Sequence, residues 1–157
     1  MECLDEIIVF AYGTPKQQGS VKTWFNPVTQ MSRVWWSTKG LGKWRSSIKA
    51  ALREIDPQSM FMEGCEDSAY EVTAVFFFTK PKSYKRFLFY RHTTFPDLDK
   101  LVRALFDELS EHVVGDDKRV FSLSARKEYV DVGSASNEEG VFISVRRLPR
   151  TIDRRVK

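Results

Sequence analysis

The chain has 157 residues, 42% hydrophobic and 13% aromatic, with 25 Lys and Arg against 21 Asp and Glu and a net charge of +4. That length and apolar content exclude a disordered chain and fit one domain whose core needs no staple. A pI near 9.1 favours an anionic partner, nucleic acid first among them. Cys3 and Cys65 stand alone, without metal-ligand spacing, and read as reduced thiols of a cytosolic protein. The acidic start, Met1 to Glu6, lacks the basic opening of a signal peptide, and apolar runs such as Val75-Phe76-Phe77-Phe78 fall far short of a membrane span. A soluble cytoplasmic protein is expected.

Ile7 to Tyr12 is a short, nearly all-apolar β-type run, which predicts a strand buried on both faces. Gly13-Thr14-Pro15 then opens a loop through Gly19-Ser20 that lacks the spacing of a nucleotide-phosphate loop; Lys22 beyond it is a candidate DNA contact. Residues 23 to 38 mix aromatics with Asn26-Pro27 and predict a hairpin, its Trp35 and Trp36 divided between core and partial exposure. From Leu41 the period becomes helical: Leu41, Trp44, Ile48, Ala51, Leu52 and Ile55 form a stripe. Lys43, Arg45, Lys49 and Arg53 fall mostly off it, on a face that is solvated or touches a DNA backbone. Tyr70 to Phe78 starts alternating and ends apolar throughout, as a central strand does.

Thr79 to Phe87 interleaves Lys80, Lys82, Lys85 and Arg86 with aromatics, a composition suited to single strands and distorted junctions. It leads to Asp97, a helix-cap candidate, and to the buried stripe Leu98, Leu101, Val102, Leu105 and Leu109, with Asp99, Arg103 and Asp107 aligned opposite. Phe121, Leu123 and Ala125 alternate with polar residues in a further strand, and Lys127 falls on the apolar parity, where a plain exposed Lys is out of place. Val141, Ile143 and Val145 make the last strand, paired to it by a hairpin through Gly133-Ser134. Arg146 to Lys157 holds six cations and one acid and reads as a tail, so the domain is set at 1–147 and the basic tail at 148–157. The expected fold is α+β, a two-layer mixed β-sheet with two main helices on one face and a right-handed crossover joining the strands at 70–78 and 120–128.

Charge is unevenly placed. Residues 97 to 117 hold seven Asp/Glu and two Lys/Arg, a net of −5, whereas the other 136 hold 23 Lys/Arg and 14 Asp/Glu, a net of +9. A negative island in a positive field suits a metal-dependent enzyme acting on a polyanion. Asp97, Asp99 and Asp117 supply hard oxygen ligands for Mg²⁺, with Mn²⁺ as substitute, and no Cys or His that would point to zinc. Arg103, one turn after Asp99, would steady charge on a phosphate. Helix capping is the competing explanation, but it accounts for one of Asp97 and Asp99 and for neither Asp116 nor Asp117.

Pro96-Asp97-Leu98-Asp99-Lys100-Leu101-Val102-Arg103-Ala104-Leu105-Phe106-Asp107, with Gly115-Asp116-Asp117-Lys118-Arg119-Val120 after it, resembles the RusA-type Holliday junction resolvases. The Gly13-Thr14-Pro15…Gln18-Gly19-Ser20 start, Lys80-Pro81-Lys82 and Lys127…Tyr129 are also similar. The resemblance implies a homodimeric, Mg²⁺-dependent endonuclease of a bacterial host or phage that cuts four-way DNA junctions in recombination and repair. It makes Asp97, Asp99 and Asp117 the metal-binding acids. Where members of that family carry a Lys one turn after the second Asp, this chain has Arg103, which keeps the charge but is a poor proton donor. Two other functions also fit the acids: a non-catalytic junction-binding accessory and a Mg²⁺-dependent nucleotide phosphohydrolase. A helix of about 13 residues from Leu98 is roughly 20 Å long and sets Asp97 and Asp117 near opposite ends. Either that helix is short or bent, or the acids meet across a two-fold axis.

Overall fold

The computed structural model describes residues 6–19, 21–36, 38–55, 68–84, 86, 90–130 and 138–150, without the side chains of 21, 22 and 34–36. Cys3, Cys65, Lys85, the Gly133-Ser134 turn and the 151–157 end lie outside those residues, as do the side chains of Lys22, Trp35 and Trp36. Strands β1 (Glu6–Tyr12), β2 (Val21–Asn26) and β3 (Met31–Trp36) come first, then helix α1 (Leu41–Arg53) and strand β4 (Ser68–Thr79). Helix α2 (Leu98–Leu109) runs into a π-helical turn, Ser110–Val114, and strands β5 (Val120–Val130) and β6 (Gly140–Pro149) close the chain. The α+β class, the mixed sheet and the two helices are as expected. Among the described residues no helix is long and apolar enough to cross a membrane.

The main sheet has the order β1-β6-β4-β5, and β2 and β3 form a separate antiparallel ribbon. β4 is central as predicted, parallel to β5 and antiparallel to β6. One face carries Ile7 and Ala11 of β1, Val141, Ile143 and Val145 of β6, and Val72, Ala74 and Phe76 of β4. On it lie Leu41, Trp44, Ile48 and Leu52 of α1 and Leu101, Leu105 and Leu109 of α2, all in one buried cluster. The helical stripes are therefore buried by a second layer, which is what makes these amphipathic sequences hold as helices.

Two strand expectations fail. β5 and β6 are not a hairpin, because β4 lies between them and pairs with both. β1 is an edge strand: Ile7 and Ala11 face the core, whereas Ile8 and Tyr12 are exposed, so its apolar run does not signal burial on both faces. On that outer side Phe10 contacts the rings of Tyr12 and Phe77. Gly140, paired with Tyr12 and Phe77, has to be glycine there, since a Cβ would meet the Phe10 ring and the Ala11 carbonyl at 2.4 Å. β6 continues past 147 to Pro149, and Arg146 sits within it, ion-paired to Glu71 rather than in a tail.

β5 holds the other departure. Phe121 is 62% and Leu123 45% exposed although they share the parity of Ala125 and Lys127, because β5 is the opposite edge of the sheet and α2 does not cover its start. Phe106 of α2 adjoins them around a shallow cavity that also includes Asp117.

Candidate metal and DNA site

The acid-bearing turn before α2 is held from two sides. Asp97 occupies the N-cap position in extended conformation, and its carbonyl accepts from Leu101 N at 3.1 Å. Its carboxylate does not cap the helix; Oδ2 instead takes the Lys100 ammonium at 2.9 Å. Asp99, in the first turn, is exposed. Capping by the side chain thus accounts for neither acid.

Gln17 Oε1 accepts the Asp97 backbone N–H at 2.7 Å, and Gln18 N donates to Lys100 O at 3.1 Å. Both glutamines are buried. The loop after β1 is therefore the seat of the acidic turn, a role that its sequence did not reveal, since nothing in a Gly- and Pro-marked loop names its partner.

Lys127 braces the other side. Its Nζ donates to Thr94 O at 2.7 Å and to Pro96 O at 2.8 Å, which uses two of three ammonium donors. The parity that singled it out is right, since Lys127 lies on the helix-bearing face of β5 opposite Phe76. Burial lowers its pKa from the ordinary 10.5, and the negative charge of Asp97 opposes that shift. Lys127→Ala is expected to lower stability by about 1.5–3 kcal/mol, the usual worth of hydrogen bonds from a charged group, and to speed amide exchange at Asp97 and Leu101. Unchanged exchange there would show that the brace is dispensable.

The second acidic pair divides in two. Asp116 caps the 3₁₀ turn Asp117–Arg119 by accepting from Lys118 N at 3.1 Å, and it also pairs with Lys118 Nζ at 2.7 Å. Those bonds hold its pKa below the usual carboxylate value. Capping therefore explains Asp116, contrary to expectation, and leaves Asp117 exposed and uncommitted to that turn's cap.

The negative island is not one surface. In its middle, Glu108 is buried and takes Arg45 Nε at 2.6 Å, Asp107 lies 3.6 Å from Arg45 Nη1, and Glu111 lies 3.6 Å from Lys49 Nζ. Arg45 and Lys49 thus face α2 and its π turn rather than a DNA backbone. Among the described residues, the group of three metal-ligating side chains with donor atoms within 4.8 Å of one another is Glu108, Glu111 and His112. One Glu108 oxygen takes Arg45 and the other lies 3.5 Å from His112 Nε2, while Glu111 faces Lys49, so this trio is tied into the α1–α2 ion-pair network.

Asp97, Asp99 and Asp117 of one chain do not form such a group. α2 and the π turn run without a break from Leu98 to Val114, and at 1.5 Å per residue their 12 and 5 residues span about 25 Å. Asp97 precedes this segment at the Lys127 end of β5, and Asp117 follows it at the Val120 end. Of the other candidates, Arg103 is exposed on α2, Lys82 and Arg86 are exposed, and Lys80 is buried beside a cavity.

Residues 13–146 match the family model of endodeoxyribonuclease RusA, which covers most of the chain. The chain belongs to the RusA family. No curated protein matches it. RusA nucleases act on branched DNA junctions and are in general dependent on a divalent metal. In this RusA chain the fit to such an ion rests on donor chemistry: Asp97 and Asp99 offer carboxylates that no helix cap consumes, the hard oxygen ligands Mg²⁺ takes alongside water and phosphate.

Proposed function

We propose that two copies of this chain form a Mg²⁺-dependent endonuclease that resolves four-way DNA junctions in recombination and repair, each site combining Asp97 and Asp99 of one copy with Asp117 of the other. The observation that carries the shared site is the separation within one chain: a continuous helical segment stands between Asp97 and Asp117. Antiparallel contact between the α2 helices of two copies brings the unlike ends together. The exposed Phe121 and Leu123, beside Phe106, supply an apolar face for that contact. A two-fold dimer also matches the task, since resolution requires paired cuts in two strands of like polarity.

When bound, the metal supplies an acidified water and neutralises charge on the phosphate under attack. The chain's own part is to hold the acids still and the strand in place. Gln17 and Lys127 fix the turn before Asp97. Arg103 faces solvent one helical turn from Asp99 and acts on phosphate charge as a fixed cation, without giving up a proton. Lys82 and Arg86, with Lys22 and Lys85, contact the DNA backbone; Lys80 and the remaining donor of Lys127 serve the strand next to the turn.

A synthetic mobile four-way junction and a linear duplex of the same sequence, each with and without Mg²⁺, test this function. Paired nicks in the junction alone, only with Mg²⁺, are expected. Tight junction binding without any cut would instead make the protein an accessory, and phosphate release from nucleotides with indifference to DNA would make it a phosphohydrolase.

A further inference from the structure

Behind the Lys127 brace lies a cavity of about 480 Å³, lined by Lys80, Tyr90, His92, Arg126, Lys127 and Tyr129 among others. That volume suits one small organic group. Three of its lining residues, Tyr90, His92 and Tyr129, carry flat rings, and further rings that do not line it pack against them. His92 and Tyr129 stack with centroids 4.4 Å apart and planes within 18°, and Tyr84 and Tyr90 stack at 4.2 Å and 16°. Tyr90 and Tyr129 join the two pairs at 6.4 Å, and Phe78 backs His92 from the core side at 4.5 Å.

His92 is only 8% exposed, yet its buried Nδ1 has no hydrogen-bond partner. Burial, and after it the Lys127 ammonium, lower the His92 pKa from 6.5, which favours the neutral ring. Position matters as much as chemistry. Leu98, the first residue of α2, lines the same cavity, and Lys127 reaches from it to the carbonyl just before Asp97.

We infer that this cavity receives a single unstacked nucleobase from the strand to be cut, seated among the Tyr90, His92 and Tyr129 rings. The inference rests on branched DNA being the substrate. A base inside a duplex is stacked on both sides, whereas one at a crossover has lost a neighbour and is the least costly to turn out. Aromatic rings bind any such base by its face; of the cations around them Arg126 is paired to Glu128, which also lines the cavity, and Lys127 keeps one donor for the attached phosphate. The cavity thus adds a device that chooses where along a mobile junction the acids act.

The test is a scan in which one abasic nucleotide replaces, in turn, each position flanking the crossover of a four-way junction, with binding measured to the full-length Asp99→Asn protein. One position is expected to weaken binding about 10-fold, the scale of one base–aromatic stack. The same abasic position is expected to cost less than about 2-fold when Tyr90→Ala or His92→Ala is added, because the lost base and the lost ring report one contact. If the intact junction is bound and wild-type protein cuts it, but no abasic position matters, the base-binding role is overturned and the nuclease function stands. That result needs neither cavity variant to fold. If the intact junction is neither bound nor cut, the proposed substrate itself is wrong.

Discussion

Asp99→Asn is expected to lower junction cleavage by at least about 10³-fold, because in the proposed site it removes a metal-binding carboxylate and with it several kcal/mol of transition-state stabilisation. Junction binding is expected to stay level or tighten, since the change removes a negative charge from a surface that meets a polyanion. The fold has little to lose. Asp99 is exposed in the first turn of α2, and helix α2 has no side-chain cap to break. Its helix-dipole contribution is on the order of 0.3–1 kcal/mol, too small to unfold a domain. Cleavage at the parental rate by the variant would remove Asp99 from the site.

Most of the secondary structure was legible because periodicity is local. The stripe of α1 and that of α2 follow helical spacing, and the same residues are buried in the core apart from Ile55, Leu98 and Val102, which are partly buried against it. β4 announced its central place by becoming apolar on both parities, and Val75, Phe76 and Phe78 are buried. Strand order was not legible. β6 inserts between β1 and β4, and nothing in the alternation of β5 tells that Phe121 and Leu123 stay exposed in the single chain. Pairing partners are chosen by contacts far apart in sequence, which a one-dimensional pattern does not record.

The site was legible to a similar depth. Charge counting found the acidic stretch but could not divide it, because Arg45 reaches Glu108 only once α1 and α2 are packed together. Parity picked out Lys127 as unusual, yet its acceptors, the carbonyls of Thr94 and Pro96, carry no sequence signature. Gln17 and His92 carry no sequence signature either: a buried Gln in a loop and a buried His among aromatic residues are ordinary until their neighbours are seen. The distance between Asp97 and Asp117 was foreseen from helix length alone, and the π turn lengthens the separating segment beyond the expectation.

Mixing two inactive proteins tests the shared site, the centre of this account, most directly. Asp99→Asn and Asp117→Asn subunits are each expected to be inactive as homodimers. In a mixed dimer one site receives both substitutions and the other receives neither. Random exchange at equal amounts makes half of the dimers mixed, each with one intact site of two, so strand nicking is expected to return to about a quarter of the wild-type rate. Those cuts are expected as single nicks rather than pairs, because the opposite site in the same dimer is dead. If subunit exchange is complete and the mixture remains as inactive as its components, each site lies within one chain and the shared-site arrangement is wrong.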